Sequence, residues 1–224
     1  MPRAAAKSQL AAASEKSINL KEYGQVLKMP EVWAIGLIGF CTYIASTGVT
    51  YLQPFLASIY NLDASTSSIY AIIAKNCALV AAPIMTWIAT KKKVPVTKVL
   101  GLSLLIAAVC FVLFIIFPQN ASLLVLAIML YMAAALCIMA TWAMQFTPVS
   151  EVGIPMAVTG SAIGVISMFS FVSDIFYSAV CGFFIDNYDL NGYKWIFGMT
   201  TVLLVIGALA AFYIVRKIKA KAQA

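Results

Sequence analysis

Six apolar runs follow one another between residues 32 and 215, at about 32–59, 68–90, 98–117, 121–146, 156–185 and 195–215. Each is near the roughly 20 residues that a helix needs to cross a bilayer, so the pattern predicts an all-α membrane protein of six transmembrane helices. The runs differ in what interrupts them. The first carries Tyr43, Thr47, Thr50 and Gln53 on one face, with Pro54 nearby to bend it. The second holds Lys75 and Asn76 inside an apolar stretch, then Pro83, Thr86 and Thr90. The third is almost featureless. The fourth carries Tyr131, Thr141, Trp142 and Gln145, the fifth carries Asp174, and the sixth is again nearly all apolar. The order is polar, polar, bare, twice over. Cavity-lining helices need polar faces and peripheral ones do not, so the order predicts an inverted repeat of three plus three helices.

The fifth run organises the rest. From Pro155 to Asp186, helical spacing puts Gly160, Gly164, Ser167, Phe171, Asp174, Ser178 and Gly182 on one stripe. Apart from Phe171 the stripe is small or polar, and lipid accommodates an acid such as Asp174 only at a cost. The stripe is therefore expected to face protein or a water-filled cavity, with Gly160-x-x-x-Gly164 open to close approach by another helix. The plainer reading of Asp174 is a packing seam with one acid satisfied by a neighbour.

Composition agrees with the pattern. The 224 residues are 63% hydrophobic and 10% charged, more apolar than a soluble domain of this size requires. The five cysteines lie inside apolar runs without a C-x-x-C pair, and read as packing residues. There is no histidine, which removes the commonest general base and zinc ligand, and no clustered carboxylate pair stands in for it. An enzyme is not expected, nor a metal or other cofactor. No G-x-x-x-x-G-K-[ST] stretch points to ATP, and no filter-like loop points to a channel.

The net charge of +7 is a matter of loop placement, not a sign of nucleic-acid binding. Of the 15 basic residues, all but Lys75 and Lys194 fall in three places: the segment before the first run, the Lys91-Lys92-Lys93…Lys98 loop, and the end from Arg216. The intervening loops carry Asp63, Asp186 and Asp189. The positive-inside bias predicts that both termini are cytoplasmic. Residues 1–29 read as a basic cytoplasmic tail or linker, 30–216 as the bundle, and 217–224 as a second basic tail. Leu20 to Lys28 predicts a short helix at the membrane surface. Asn120-Ala121-Ser122 matches a glycosylation sequon close to the membrane.

These features resemble the C-terminal six-helix half of a major facilitator superfamily transporter, over most of residues 20–215. VLKMPEVWAIGLIGFCTYI is similar to the basic linker and first helix of such a half. Thr86-Trp87-Ile88-Ala89-Thr90-Lys91-Lys92-Lys93 sits where the family often has Gly-x-x-x-Asp followed by basic residues, with Thr86 and Thr90 in place of the Gly and the Asp. EVGIPMAVTGSAIGVISMFSFVSDIF and GFFIDNYDLNGYKWIF resemble the fifth helix and following loop of bacterial anion and sugar-phosphate-like branches. The first helix lacks the arginine used by organophosphate antiporters, which argues against their phosphate chemistry. A complete member has two halves, and this chain begins with Met1 just before the second. A shortened or misread gene is the first expectation, ahead of a half that pairs with a separate N-terminal half or with a second copy.

The resemblance implies secondary active transport of a small organic solute, an organic anion among the candidates, by alternating access coupled to a proton or cation. The membrane would be the cell membrane, inner or plasma. Asp174 is the candidate coupling site and Lys75 the candidate contact for an anionic group. They lie about seven and twelve residues, or roughly 10 and 18 Å, from the outer ends of their runs, Lys75 the shallower. Lys75 is also shallow enough to snorkel to the interface. Tyr43, Gln53, Asn76, Tyr131 and Gln145 are candidate hydrogen-bonding residues of the cavity, or ties between helices. A half standing alone would expose Lys75 or Asp174 to lipid at roughly 2.5–3.5 kcal/mol each, so transport needs a covering surface. The alternative is a non-transporting membrane fragment in which these residues only pack.

Overall fold

A computed structural model describes residues 20–116 and 121–223, which are helical and contain no strand. Arg3, Lys7 and Lys16 of the basic tail, and Asn120 of the sequon, lie outside the described residues. A short helix α1 (Leu20–Leu27) leads into α2 (Pro30–Tyr60). There follow α3 (Ala64–Asn76), α4 (Ala78–Lys92), α5 (Val96–Ile116), α6 (Leu124–Met144), α7 (Thr147–Glu151) and α8 (Met156–Gln223). Among the described residues five stretches are long and apolar enough to cross a membrane: α2, α3 with α4, α5, α6 and α8. The chain is a multi-pass membrane protein.

The fifth and sixth apolar runs are the two arms of α8. Asp189 has φ 47° and ψ −128°, far from helical values, and the chain reverses there. In a straight helix Tyr177 and Thr200 would stand about 35 Å apart. Their hydroxyls are instead 2.7 Å apart, buried between the arms. Nearer the turn Phe184 and Trp195 stack with centroids 6.2 Å apart and planes 11° apart. A loop expected over 186–194 is therefore replaced by helix running almost to the reversal.

The second run is divided. The Cys77 N–H turns back to the Ala74 carbonyl at 3.3 Å, a tighter turn that separates α3 from α4. Asp63 caps the start of α3: its carboxylate accepts from the Thr66 N–H at 3.1 Å and from the Ser65 hydroxyl. Those bonds hold the Asp63 carboxyl below the usual range. Its contribution is complete above the unfolded range near pH 4, and is lost as pH falls through the lowered value. In Asp63→Ala the Thr66 amide should exchange roughly fivefold faster at neutral pH, read by hydrogen–deuterium exchange. An unchanged rate would remove the cap from the account of α3.

Helix α2 lies between the two arms of α8. Packing between helices in lipid is driven by close van der Waals fit rather than by the hydrophobic effect, which favours small residues at the seams. A Cβ on Gly39 would overlap the Ser170 hydroxyl of the first arm, and one on Gly207 of the second arm would sit 2.9 Å from Cys41 Cβ. Accordingly 61% of the apolar centre of α2 is buried, against 17% for the α3–α4 span. Helix α5 closes the back of the bundle, its Leu100, Leu104 and Phe111 fully buried.

One end of the bundle gathers the basic segments. Lys217 lies 3.6 Å from Glu31, and Lys221 Nζ donates to the Val152 carbonyl at 2.9 Å. The Glu151 carboxylate spans from α7 to the start of α5, accepting from the Val96 N–H at 2.6 Å, the Thr97 N–H at 3.0 Å and the Thr97 hydroxyl at 2.5 Å. Lys91 to Lys93 close the same end, with Lys91 Nζ 4.7 Å from the centre of the Trp87 ring. The opposite end carries Asp63 and the reversal at Asp189. The basic loops thus share one side of the bundle.

Candidate functional site

Five helices, α2, α3, α4, α6 and the first arm of α8, converge on a cavity of about 340 Å³ lined by Tyr43, Ser46, Thr47, Val49, Thr50, Lys75, Ala78, Met139, Trp142 and Asp174. Helix α2 supplies a polar stripe, Tyr43, Ser46, Thr47 and Thr50, at steps of three and four that place these side chains on one face. The Thr47 and Thr50 hydroxyls donate to the carbonyls of Tyr43 and Ser46, both at 3.3 Å. Their donors are thereby spent on the helix, while their lone pairs can still accept. Lys75 comes from the last turn of α3, just before the tightening at Cys77. Trp142 comes from α6 and Asp174 from the first arm of α8.

The aromatic side chains form a corner of their own. The Tyr43 ring meets Phe171 edge to face at 4.6 Å and lies 6.3 Å from Trp142. Phe171 stands three residues before Asp174, on the same face of the arm. Lys75 and Asp174 are both exposed within this chain, and no ion pair within 4.0 Å joins them. Among the described residues neither charged group has a hydrogen-bond partner.

Of the seven candidate site residues, Tyr43, Lys75 and Asp174 meet at this cavity, and Gln53, Asn76, Tyr131 and Gln145 do not line it. The Gln53 side-chain amide donates to the Ser67 hydroxyl at 3.0 Å, tying α2 to α3. Asn76 donates to the Ile72 carbonyl at 2.8 Å and borders a separate, nearly apolar groove with Ile73, Val80 and Leu136. Tyr131 is buried in the core. Gln145 is buried near Gly39, its side-chain oxygen without a hydrogen-bond partner. Ser46, Met139 and Trp142 line the cavity without having been proposed as site residues. The 43/46/47/50 spacing on the first run was the signal for Ser46, and Met139 offers none.

The small-residue stripe of the first α8 arm points away from the chain's own bundle. A Cβ placed on Gly160, Gly164 or Gly182 would meet nothing within 4 Å. Among the described residues no helix uses Gly160-x-x-x-Gly164 as a seam. The arm packs instead through Val158, Ala162, Ile166, Ser170, Ser173, Tyr177 and Cys181. Asp174 and the glycines share the outward side with Met168 and Ile175, which are 78% and 80% exposed.

Comparison with known proteins finds a distant homologue. The chain is 27% identical over 195 residues to "Inner membrane protein YihN" of Escherichia coli (strain K12), a match covering 86% of this chain and 46% of YihN. The chain thus spans about half the length of the curated relative it matches. No protein-family profile matches it, and no solved structure does.

Proposed function

We propose that this chain is the C-terminal half of a major facilitator transporter of the inner membrane, and that its cavity is one wall of a solute site that alternates in access. The observation that carries the reading is the pair of unpartnered charges, Lys75 and Asp174, lining one cavity of a largely apolar bundle. Intramembrane charges held at that cost mark solute and ion pathways. The order of polar and bare helices fits an inverted three-plus-three repeat, with the bare α5 and second α8 arm contributing no residue to the cavity lining. The end that gathers Lys91 to Lys93, Lys217 and Lys221 is the cytoplasmic one under the positive-inside rule.

On this reading Lys75 receives an anionic group, and Asp174 is the seat for a coupling proton or cation. The second half of the transporter covers the outward side of α3, α4 and the first α8 arm. Its place is supported by the exposure of Leu79 on α4 and of Met168 and Ile175 on the first α8 arm, at 76%, 78% and 80%. It is supported also by the match to only 46% of YihN. The same two facts favour the second reading, a membrane fragment that folds and transports nothing.

Uptake into vesicles under a pH gradient separates the two. The chain alone, the chain with the unmatched half of YihN, and that pair with Asp174→Asn would be compared over a panel of organic anions and sugars. Uptake is expected only in the pair, and should fall about a hundredfold in Asp174→Asn at unchanged membrane abundance. A pair that transports nothing in the panel would leave the fragment reading standing, and an Asp174→Asn pair as active as its parent would remove Asp174 from the coupling role.

A further inference from the structure

We propose that the cavity takes a small zwitterion, a solute carrying one carboxylate and one ammonium group, held between Lys75 and Asp174. The proposal deepens the transport reading and rests on it. Two opposite charges line the same cavity, yet no ion pair within 4.0 Å joins them. A plain anion would satisfy Lys75 and meet repulsion from Asp174. A plain cation would do the reverse. A single solute with both signs satisfies both groups without a coupling cation at Asp174, and an unmatched charge is costly where water is scarce.

The surroundings of the two charges differ in the same sense. Asp174 shares its cavity with the Tyr43 and Trp142 rings, and Phe171 meets Tyr43 at 4.6 Å one turn before it. A carboxylate beside aromatic faces is suited to an ammonium, primary or methylated, because the ring quadrupole attracts cations without demanding a hydrogen bond. The Lys75 ammonium offers three donors to a carboxylate, and the Ser46 hydroxyl on the same cavity adds a fourth. The Thr47 and Thr50 hydroxyls already donate to α2 carbonyls, so they serve as acceptors for hydroxyls of the solute. This chain's share of the site, about 340 Å³, has room for a molecule whose charges are a few bonds apart. A coupling cation and the ammonium of the solute are then alternative occupants of Asp174.

The test is ligand-observed saturation-transfer NMR on the full chain paired with the unmatched half of YihN in nanodiscs at one fixed pH. The probes are glycine, β-alanine, γ-aminobutyrate and ε-aminocaproate, with butyrate and butylamine as single-charge controls. One chain length should bind about tenfold or more tighter than either control. Lys75→Met should erase its advantage over butylamine only, and Asp174→Asn its advantage over butyrate only. A packing role for either residue would not produce that crossed pattern. Butyrate binding as tightly as every zwitterion, and lost in Lys75→Met alone, would overturn the proposal and leave transport of an anion in place. No binding of any probe, with helicity intact by circular dichroism, would overturn the assignment of this cavity as a solute site as well.

Discussion

Gly192→Ala should lower the stability of the chain by about 3 kcal/mol, toward the upper end of what overpacking costs. A Cβ at Gly192 would overlap the Phe184 carbonyl oxygen, and would stand 2.6 Å from its carbon and 2.9 Å from Ile185 Cα. All three are backbone atoms of the opposite arm, so no side-chain rotation relieves the contact. The arms would have to separate where Phe184 and Trp195 stack, loosening the Tyr177–Thr200 hydrogen bond below. Gly198→Ala is the control, since a Cβ there meets nothing within 4 Å and alanine is the better helix former. The check is the midpoint of unfolding in detergent micelles for both variants. Equal midpoints would mean that the arms do not meet at Gly192 as described. The reversal matters beyond stability, because the first arm carries Asp174 to the cavity.

Glu151→Ala should cost about 3 kcal/mol, from a carboxylate that accepts three hydrogen bonds at the first turn of α5. Thr97 is fully buried, so its N–H and hydroxyl find no water when the carboxylate is removed. The negative charge at a helix N-terminus also complements the macrodipole. Glu151→Gln, which keeps one accepting oxygen and substitutes a donor for the other, should fall between wild type and Glu151→Ala. Thermal unfolding in micelles ranks the three, and amide exchange at Val96 and Thr97 localises the effect. If Glu151→Gln is as damaging as Glu151→Ala, the remaining acceptor contributes nothing. With Lys221 on Val152 and Lys217 near Glu31, Glu151 fixes the basic end into one block. In a rocking mechanism that end would move as a unit.

The helices were readable because each span needs its own apolar run, and lipid enforces that requirement on every one of them. The hairpin of α8 was readable as two runs, although the reversal by Asp189 rather than by a loop was not. Tyr43, Lys75 and Asp174 could be picked out because polar groups inside apolar runs are few. Gln53, Asn76, Tyr131 and Gln145 are equally polar by type, yet each is spent on a tie, a groove or the core. Sequence carries no signal for that choice, since it depends on which face of a helix meets a neighbour. The glycines teach the same lesson. Gly160 and Gly164 have the motif spacing and touch nothing, whereas Gly39, Gly192 and Gly207 have no motif and make the closest approaches.

The sparse packing of α3 and α4 bears on how long the chain lasts after synthesis. The other helices can complete a core without them, since only 17% of that span is buried. An element so lightly held opens locally at little cost, and membrane proteases act on such openings. Cellular abundance of the chain would then follow the supply of whatever covers α3 and α4, and excess copies would be cleared as orphans.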